Sequence, residues 1–140
     1  MKYISKSPHQ TQEIALKLAK NLRGGEILGL IGELGSGKTC FVRGLAKGLG
    51  VKNTIVSPTF IFLKVLPAKN NRNIDHLAHL DLYRLKNRGA IDNIIPLDFL
   101  NKKNVVTAIE WAERIKEKLP AHTRFIKFEV LKKNQRKIII

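Results

Sequence analysis

An α/β fold is what this chain of 140 residues predicts, and three features carry the expectation. Ile27-Leu28-Gly29-Leu30-Ile31 is a short apolar run of the kind that forms a buried parallel strand. It leads through a glycine-rich loop into a helix marked by Phe41, Leu45 and Leu49 at four-residue spacing, with Val42 and Ala46 beside them. Val105-Val106-Thr107-Ala108-Ile109-Glu110 is a second apolar run, ending on a carboxylate. Two further pairs of β-forming segments read as hairpins, so antiparallel strands join the parallel ones. One domain covering 1–140 is expected, with no repeat, low-complexity stretch or linker to divide it.

In chain order, Tyr3-Ile4-Ser5 is a short edge strand. Ser7 caps a helix that Pro8 opens. Ile14, Leu18 and Leu22, with Ala15 and Ala19, form its apolar face, and Gly24-Gly25 stops it. Thr11 reads as an ordinary exposed residue of its first turn. Gly48 and Gly50 end the second helix. Ser57-Pro58-Thr59 is a proline-stiffened turn, either a plain strand entry or a sensor of a γ-phosphate and its metal. Phe60 to Leu66 is a strand, Pro67 to Asp75 a polar connection, and Leu77 to Tyr83 the returning strand. That strand carries His79, Asp81 and Tyr83 on one face, either as a functional group set or as the polar side of an exposed strand. Arg88 to Leu100 reads as short helical pieces, Glu113 to Lys118 as a short charged helix. Thr123 to Leu131 and Arg136 to Ile140 close the chain as a hairpin around Lys132-Lys133-Asn134-Gln135.

The loop after the first apolar run is Gly32-Glu33-Leu34-Gly35-Ser36-Gly37-Lys38-Thr39, a full match to G-x-x-x-x-G-K-[ST], the phosphate-binding loop of nucleoside triphosphatases. Gly32, Gly35 and Gly37 permit a tight turn with no Cβ in the way of a phosphate. The loop amides then face the ligand at the positive end of the following helix. Lys38 is positioned to meet the β- and γ-phosphates and Thr39 to offer its hydroxyl to Mg²⁺. Glu110 is where a metal-holding acid is expected, at the carboxyl end of a buried parallel strand. Asp81 is the candidate to hold Mg²⁺ through water or to orient the attacking water. Trp111 would lie beside that site; no arginine finger can be assigned, Arg43 and Arg84 being candidates and a partner protein another source.

Lys and Arg total 26 against 11 acidic residues, a formal charge of +15. That balance favours contact with a polyanion such as RNA or an acidic surface; the bland alternative is a composition rich in Lys, Asn and Ile throughout. No stretch approaches the roughly 20 apolar residues that span a bilayer, and Met1 to Pro8 lacks a signal peptide's apolar core. A cytoplasmic protein with no membrane association is expected. The single cysteine, Cys40, excludes an internal disulfide and any cysteine-based zinc site; it is expected to face the core.

Taken together, the loop, Ser57-Pro58-Thr59-Phe60, His79-Leu80-Asp81-Leu82-Tyr83-Arg84-Leu85 and Ile109-Glu110-Trp111 resemble the bacterial TsaE (YjeE) family in order and spacing, over nearly the whole chain. The resemblance implies a P-loop NTPase-like three-layer α/β domain around a central mixed, partly antiparallel sheet. It implies an ATPase, weak alone and stimulated by TsaB and TsaD, that serves threonylcarbamoyladenosine (t6A) formation in tRNA, with tRNA contacted directly or through the complex. It implies ATP or ADP bound by Gly35, Ser36, Gly37, Lys38, Thr39 and Cys40, bordered by Thr11 and Arg136. Mg²⁺ falls to Thr39 and Glu110, and the catalytic roles to Asp81, Glu110 and Lys38. Glu33, Ser36 and Cys40 depart from the residues frequent in the family without removing a ligand, and Lys86 to Asn93 lacks its acidic character.

Three other readings compete. A GTPase would need an Asn-Lys-x-Asp signature, and Asn101-Lys102-Lys103-Asn104 lacks the acid. A small-molecule kinase would need an acceptor pocket and lid. A basic RNA-binding or scaffold module would use nucleotide only as a conformational switch.

Overall fold

The computed structural model describes residues 1–56, 63–86 and 100–140. Within them the chain forms a seven-stranded mixed sheet in the order β1-β7-β6-β2-β5-β4-β3. The strands are β1 (Lys2–Ser5), β2 (Ile27–Gly32), β3 (Leu63–Pro67), β4 (His76–Asp81), β5 (Val105–Glu110), β6 (Arg124–Lys132) and β7 (Gln135–Ile139). The α-helices are α1 (Pro8–Ala19) and α2 (Lys38–Gly48). The central strands β6, β2, β5 and β4 run parallel, and the β3–β4, β6–β7 and β1–β7 pairs are antiparallel. Both expected hairpins are present, and β1 is the expected edge strand.

Alternation along the strands assigns residues to faces. Leu28, Leu30, Leu77, Val106 and Ala108 join α1 and α2 in one apolar cluster. Ile27, Leu80 and Ile109 face the opposite way, onto a second cluster with Ala112 and Ile115 of a 3-10 segment, Ala112–Lys118. Phe41 of α2 meets Phe128 of β6 edge to face, ring centroids 5.3 Å apart, anchoring the helix to the sheet. Glycine brings α1 and α2 together: a Cβ on Gly44 would run into the Gln12 carbonyl oxygen, and one on Gly48 would meet the Ala19 methyl at 2.5 Å.

Ser7 caps α1 as expected, its hydroxyl accepting from the Gln10 N–H at 3.1 Å. The helix stops earlier than Gly24-Gly25, with its C-cap at Lys20. The two glycines instead form a left-handed turn against the loop before β5, where a Cβ on Gly24 would strike the Lys103 carbonyl. Leu22 is buried although it lies past the helix. The expected charged helix at Glu113–Lys118 is 3-10, because Trp111 enters it at a left-handed φ of 60° and Ile115 breaks the helical path. Among the described residues this segment, not an α-helical layer, covers the second face. The Ser57-Pro58-Thr59 turn and the helical pieces expected after Arg88 lie outside the described residues, as does the start of the strand expected from Phe60.

Candidate active site

Four parallel strands deliver their carboxyl ends to one edge of the sheet, and the glycine loop leaves β2 there. Gly35 and Gly37 adopt φ of 75° and 103°, values closed to most L-residues. Gly32 is required for a different reason, since a Cβ there would meet Ser36 Oγ at 2.6 Å and the Phe128 carbonyl at 2.8 Å. Lys38 folds back over the loop: its ammonium donates to the carbonyls of Gly32 and Glu33, at 2.5 and 2.8 Å, and stands 4.2 Å from the centroid of the Trp111 ring. Burial lowers its pKa from the usual 10.5, while Glu110, Glu113 and Asp81 oppose the shift. A cation held this way, with its hydration largely stripped, is primed for an anion.

Asp81 and Glu110 are register partners across β4 and β5. By alternation both point to the α2 side, as His79 does. All three are buried, His79 completely, so the reading of an exposed polar strand does not hold: β4 is paired on both edges. The Thr39 hydroxyl donates to the Glu110 carboxylate, 2.9 and 3.0 Å from its two oxygens. His79 Nε2 lies 2.8 Å from Glu110 Oε1. An ionised carboxylate only accepts, so the proton sits on Nε2; His79 Nδ1 is buried with no hydrogen-bond partner among the described residues. Glu110 is thus oriented from two sides, by a group of the loop helix and by a buried imidazole. Asp81 accepts the Tyr83 backbone N–H at 3.0 Å, which ends the strand and turns Tyr83 toward Trp111, ring centroids 5.2 Å apart.

The loop, Lys38, Thr39, Cys40, Asp81, Tyr83, Glu110 and Trp111 enclose a cavity of about 250 Å³. An adjoining cavity of about 210 Å³ shares Gly35, Gly37 and Cys40 and adds Ser5, Ser7, Pro8, Thr11, Asn134 and Arg136. The residues to which the resemblance gives a catalytic, nucleotide or metal role therefore all line one or both cavities. Two were misjudged in setting. Thr11 is 3% exposed rather than on the surface, bonded to Ser5 Oγ at 2.7 Å. Cys40 does not face the core: it is partly exposed and donates to the Pro8 carbonyl at 3.2 Å, where the two helix N-termini meet.

Neither candidate arginine finger lines these cavities. Arg43 points away along α2 and donates to the Ile55 carbonyl at 3.0 Å, and Arg84 is exposed. Among the described residues two other guanidiniums stand nearer: Arg136 lines the adjoining cavity and donates to the Gly35 carbonyl at 3.3 Å, and Arg114 lies 5.5 Å from the Trp111 ring centroid and 5.9 Å from that of Tyr83. For Arg114, its three-residue spacing from Trp111 was the available signal. Asn101-Lys102-Lys103-Asn104 precedes β5, at the end opposite Glu110.

Fold and site define an α/β protein whose phosphate-loop motif faces two buried carboxylates from neighbouring parallel strands. Residues 5–138 match the family model described as threonylcarbamoyl adenosine biosynthesis protein TsaE. The chain is similar to curated tRNA threonylcarbamoyladenosine biosynthesis proteins TsaE of Treponema pallidum (35% identity over all of this chain and 99% of that protein) and Streptomyces coelicolor (40% over 77% and 71%). The crystal structure of Bacillus subtilis YdiB superposes with a TM-score of 0.75 at 30% identity, over 99% of this chain and 82% of that one. The chain belongs to the TsaE family, and its role is in t6A modification of tRNA. Among the described residues no helix is long and apolar enough to cross a membrane.

Proposed function

We propose that this chain has a P-loop NTPase-like fold and is the Mg²⁺-dependent ATP-binding and ATP-hydrolysing subunit of t6A synthesis, acting with TsaB and TsaD. The observation that carries the reading is the convergence of Lys38, Thr39, Asp81 and Glu110 on one cavity at the glycine loop.

The donors suit Mg²⁺. They are hard oxygens, the Thr39 hydroxyl and the Glu110 carboxylate, already in contact. Among the described residues no cluster of three or more His, Cys, Asp and Glu forms a cage, which fits an ion completed by phosphate oxygens and water. When bound, Mg²⁺ neutralises charge on the transferring phosphoryl group. The protein's part is positional. Loop amides and Lys38 hold the phosphates, exchanging loop carbonyls for phosphate oxygens. His79 keeps Glu110 aimed. Asp81 accepts a hydrogen bond from the attacking water. Trp111 shields the Lys38 charge from solvent. The adjoining cavity, with Thr11, Cys40 and Arg136, takes the nucleoside end.

The test is ATP hydrolysis by the purified chain, alone and with its TsaB–TsaD pair and tRNA. Slow turnover alone, stimulation by the pair and loss on chelating Mg²⁺ are expected. Turnover unchanged by both additions would rule the reading out.

A further inference from the structure

We propose that a third groove, where α2 runs into the following loop, seats the phosphate backbone of RNA. It is a cavity of about 380 Å³ whose walls include Gln12 of α1, Arg43 and Lys47 of α2, and Lys52, Asn53 and Thr54 beyond it. It shares no lining residue with the two cavities at the glycine loop.

Its electrostatics are one-sided. Among the described residues that line it, three are cations and none is a carboxylate. Arg43 and Lys47 stand one helical turn apart, where like charges repel. Both are held in place by neutral partners, and no acid among the described residues pairs with either: Arg43 Nε donates to the Ile55 carbonyl at 3.0 Å and Lys47 Nζ to Gln12 Oε1 at 2.7 Å. The close helix approach at Gly44 keeps Gln12 over this pair. The one acid beside Gln12 on α1, Glu13, lies 3.7 Å from His9. Asn53 and Thr54 add neutral donors. Fixed cations with amide and hydroxyl donors are how proteins hold phosphates without reading bases.

RNA fits better than an acidic protein. Protein interfaces are anchored by buried aromatic and large apolar groups, and among the described residues Val56 is the only exposed large hydrophobic that adjoins the groove. A formal charge of +15 would draw a polyanion from a distance, and the family acts on tRNA.

The test is binding of an unmodified tRNA transcript to the full chain, by fluorescence anisotropy across a salt series. R43E/K47E/K52E is compared with K2E/K64E/K127E, which makes the same charge change at exposed strand positions elsewhere. The groove variant is expected to lose affinity by about tenfold or more at about 0.15 M salt. Its log–log salt slope should fall by about 2, at roughly 0.7 for each phosphate no longer neutralised. The control should lose under about threefold. Equal losses would make net charge the cause and overturn the site. So would an unchanged groove variant, or poly-glutamate displacing the protein as well as tRNA does. R43Q/K47Q/K52Q carries the same expectation if the glutamate variant melts early by circular dichroism. The readout is independent of ATP hydrolysis, so either result leaves the proposed ATPase to its own test.

Discussion

In β5 every residue from Val105 to Glu110 is buried, whereas β6 alternates and then opens to solvent from Glu129 onward. The two strands flank the same β2, in parallel. β5 is covered on both faces, by α2 on one side and the 3-10 segment on the other, so its only polar outlet is its carboxyl end. β6 and β7 are covered by the helices on one face and offer Lys127, Glu129 and Lys137 on the other, with Lys137 Nζ 3.0 Å from Glu129. Such an exposed pair contributes little. At Glu110 polar groups meet at similar distances, 2.8 to 3.0 Å, but desolvated, where charge and geometry count for more. Of the paired residues in the flank, only Ser5 and Arg136 line a cavity at the loop. The buried centre holds the polar cluster, and the flank supplies a wall of the adjoining cavity.

The largest effect should come from the centre. Glu110→Ala is expected to lower ATP turnover by about 10²–10⁴-fold, the range of a positioned catalytic group, with nucleotide affinity by calorimetry changed far less. Near wild-type turnover would put the metal and its chemistry elsewhere.

A smaller loss is expected one contact further out. His79→Leu removes one of the two partners of Glu110 and should weaken Mg²⁺ affinity in the presence of ADP by about 10–100-fold, followed by Mn²⁺ competition in electron paramagnetic resonance. His79→Gln, which keeps a donor, should restore part of it. Equal defects in both variants would reduce His79 to packing.

Next comes a pH effect. The pKa of Lys38 is lowered in the fold, so its buried charge costs stability below that pKa and the cost fades as pH rises through it. Nucleotide affinity runs against stability: it is full while Lys38 is charged and falls as the pH climbs through the lowered pKa. The fall is expected to set in before pH reaches the ordinary value of 10.5. Lys38→Arg should abolish the drop, because a guanidinium stays charged. An unshifted profile in the wild type would mean that burial leaves the ammonium hydrated.

The smallest effect belongs to the flank. Val130→Thr, at an exposed position, should change stability by less than about 0.5 kcal/mol in urea unfolding. A loss of several kcal/mol would show that the hairpin end is packed after all.

Much of this contrast could be read from residue order. Continuous apolar runs marked the buried parallel strands β2 and β5, and the eight-residue loop marked the site between β2 and α2. The hairpins were legible from alternation and polar turns, with ends displaced by a residue or so, since terminal pairing depends on neighbours. Thr11 was read as exposed because one turn of a helix says nothing about which strand lies against it. Cys40 was read as core because the helix period fixes a face but not what α1 leaves uncovered. Arg43 seemed a plausible finger because a guanidinium's reach is visible in sequence and its direction is not.

The sequence alone determined the chemistry available: a lysine and threonine at the end of a glycine loop, and acids after apolar strands, because local geometry and the two-residue period fix those side chains relative to their own element. Tertiary structure decided which of them meet. Glu110 lies 71 residues from Thr39 and 31 from His79, and only parallel pairing of β4 with β5, beside β2 and under α2, brings the three into contact. Sheet order is set by the packing of the whole core, a sum over many weak contacts that no single stretch of sequence contains.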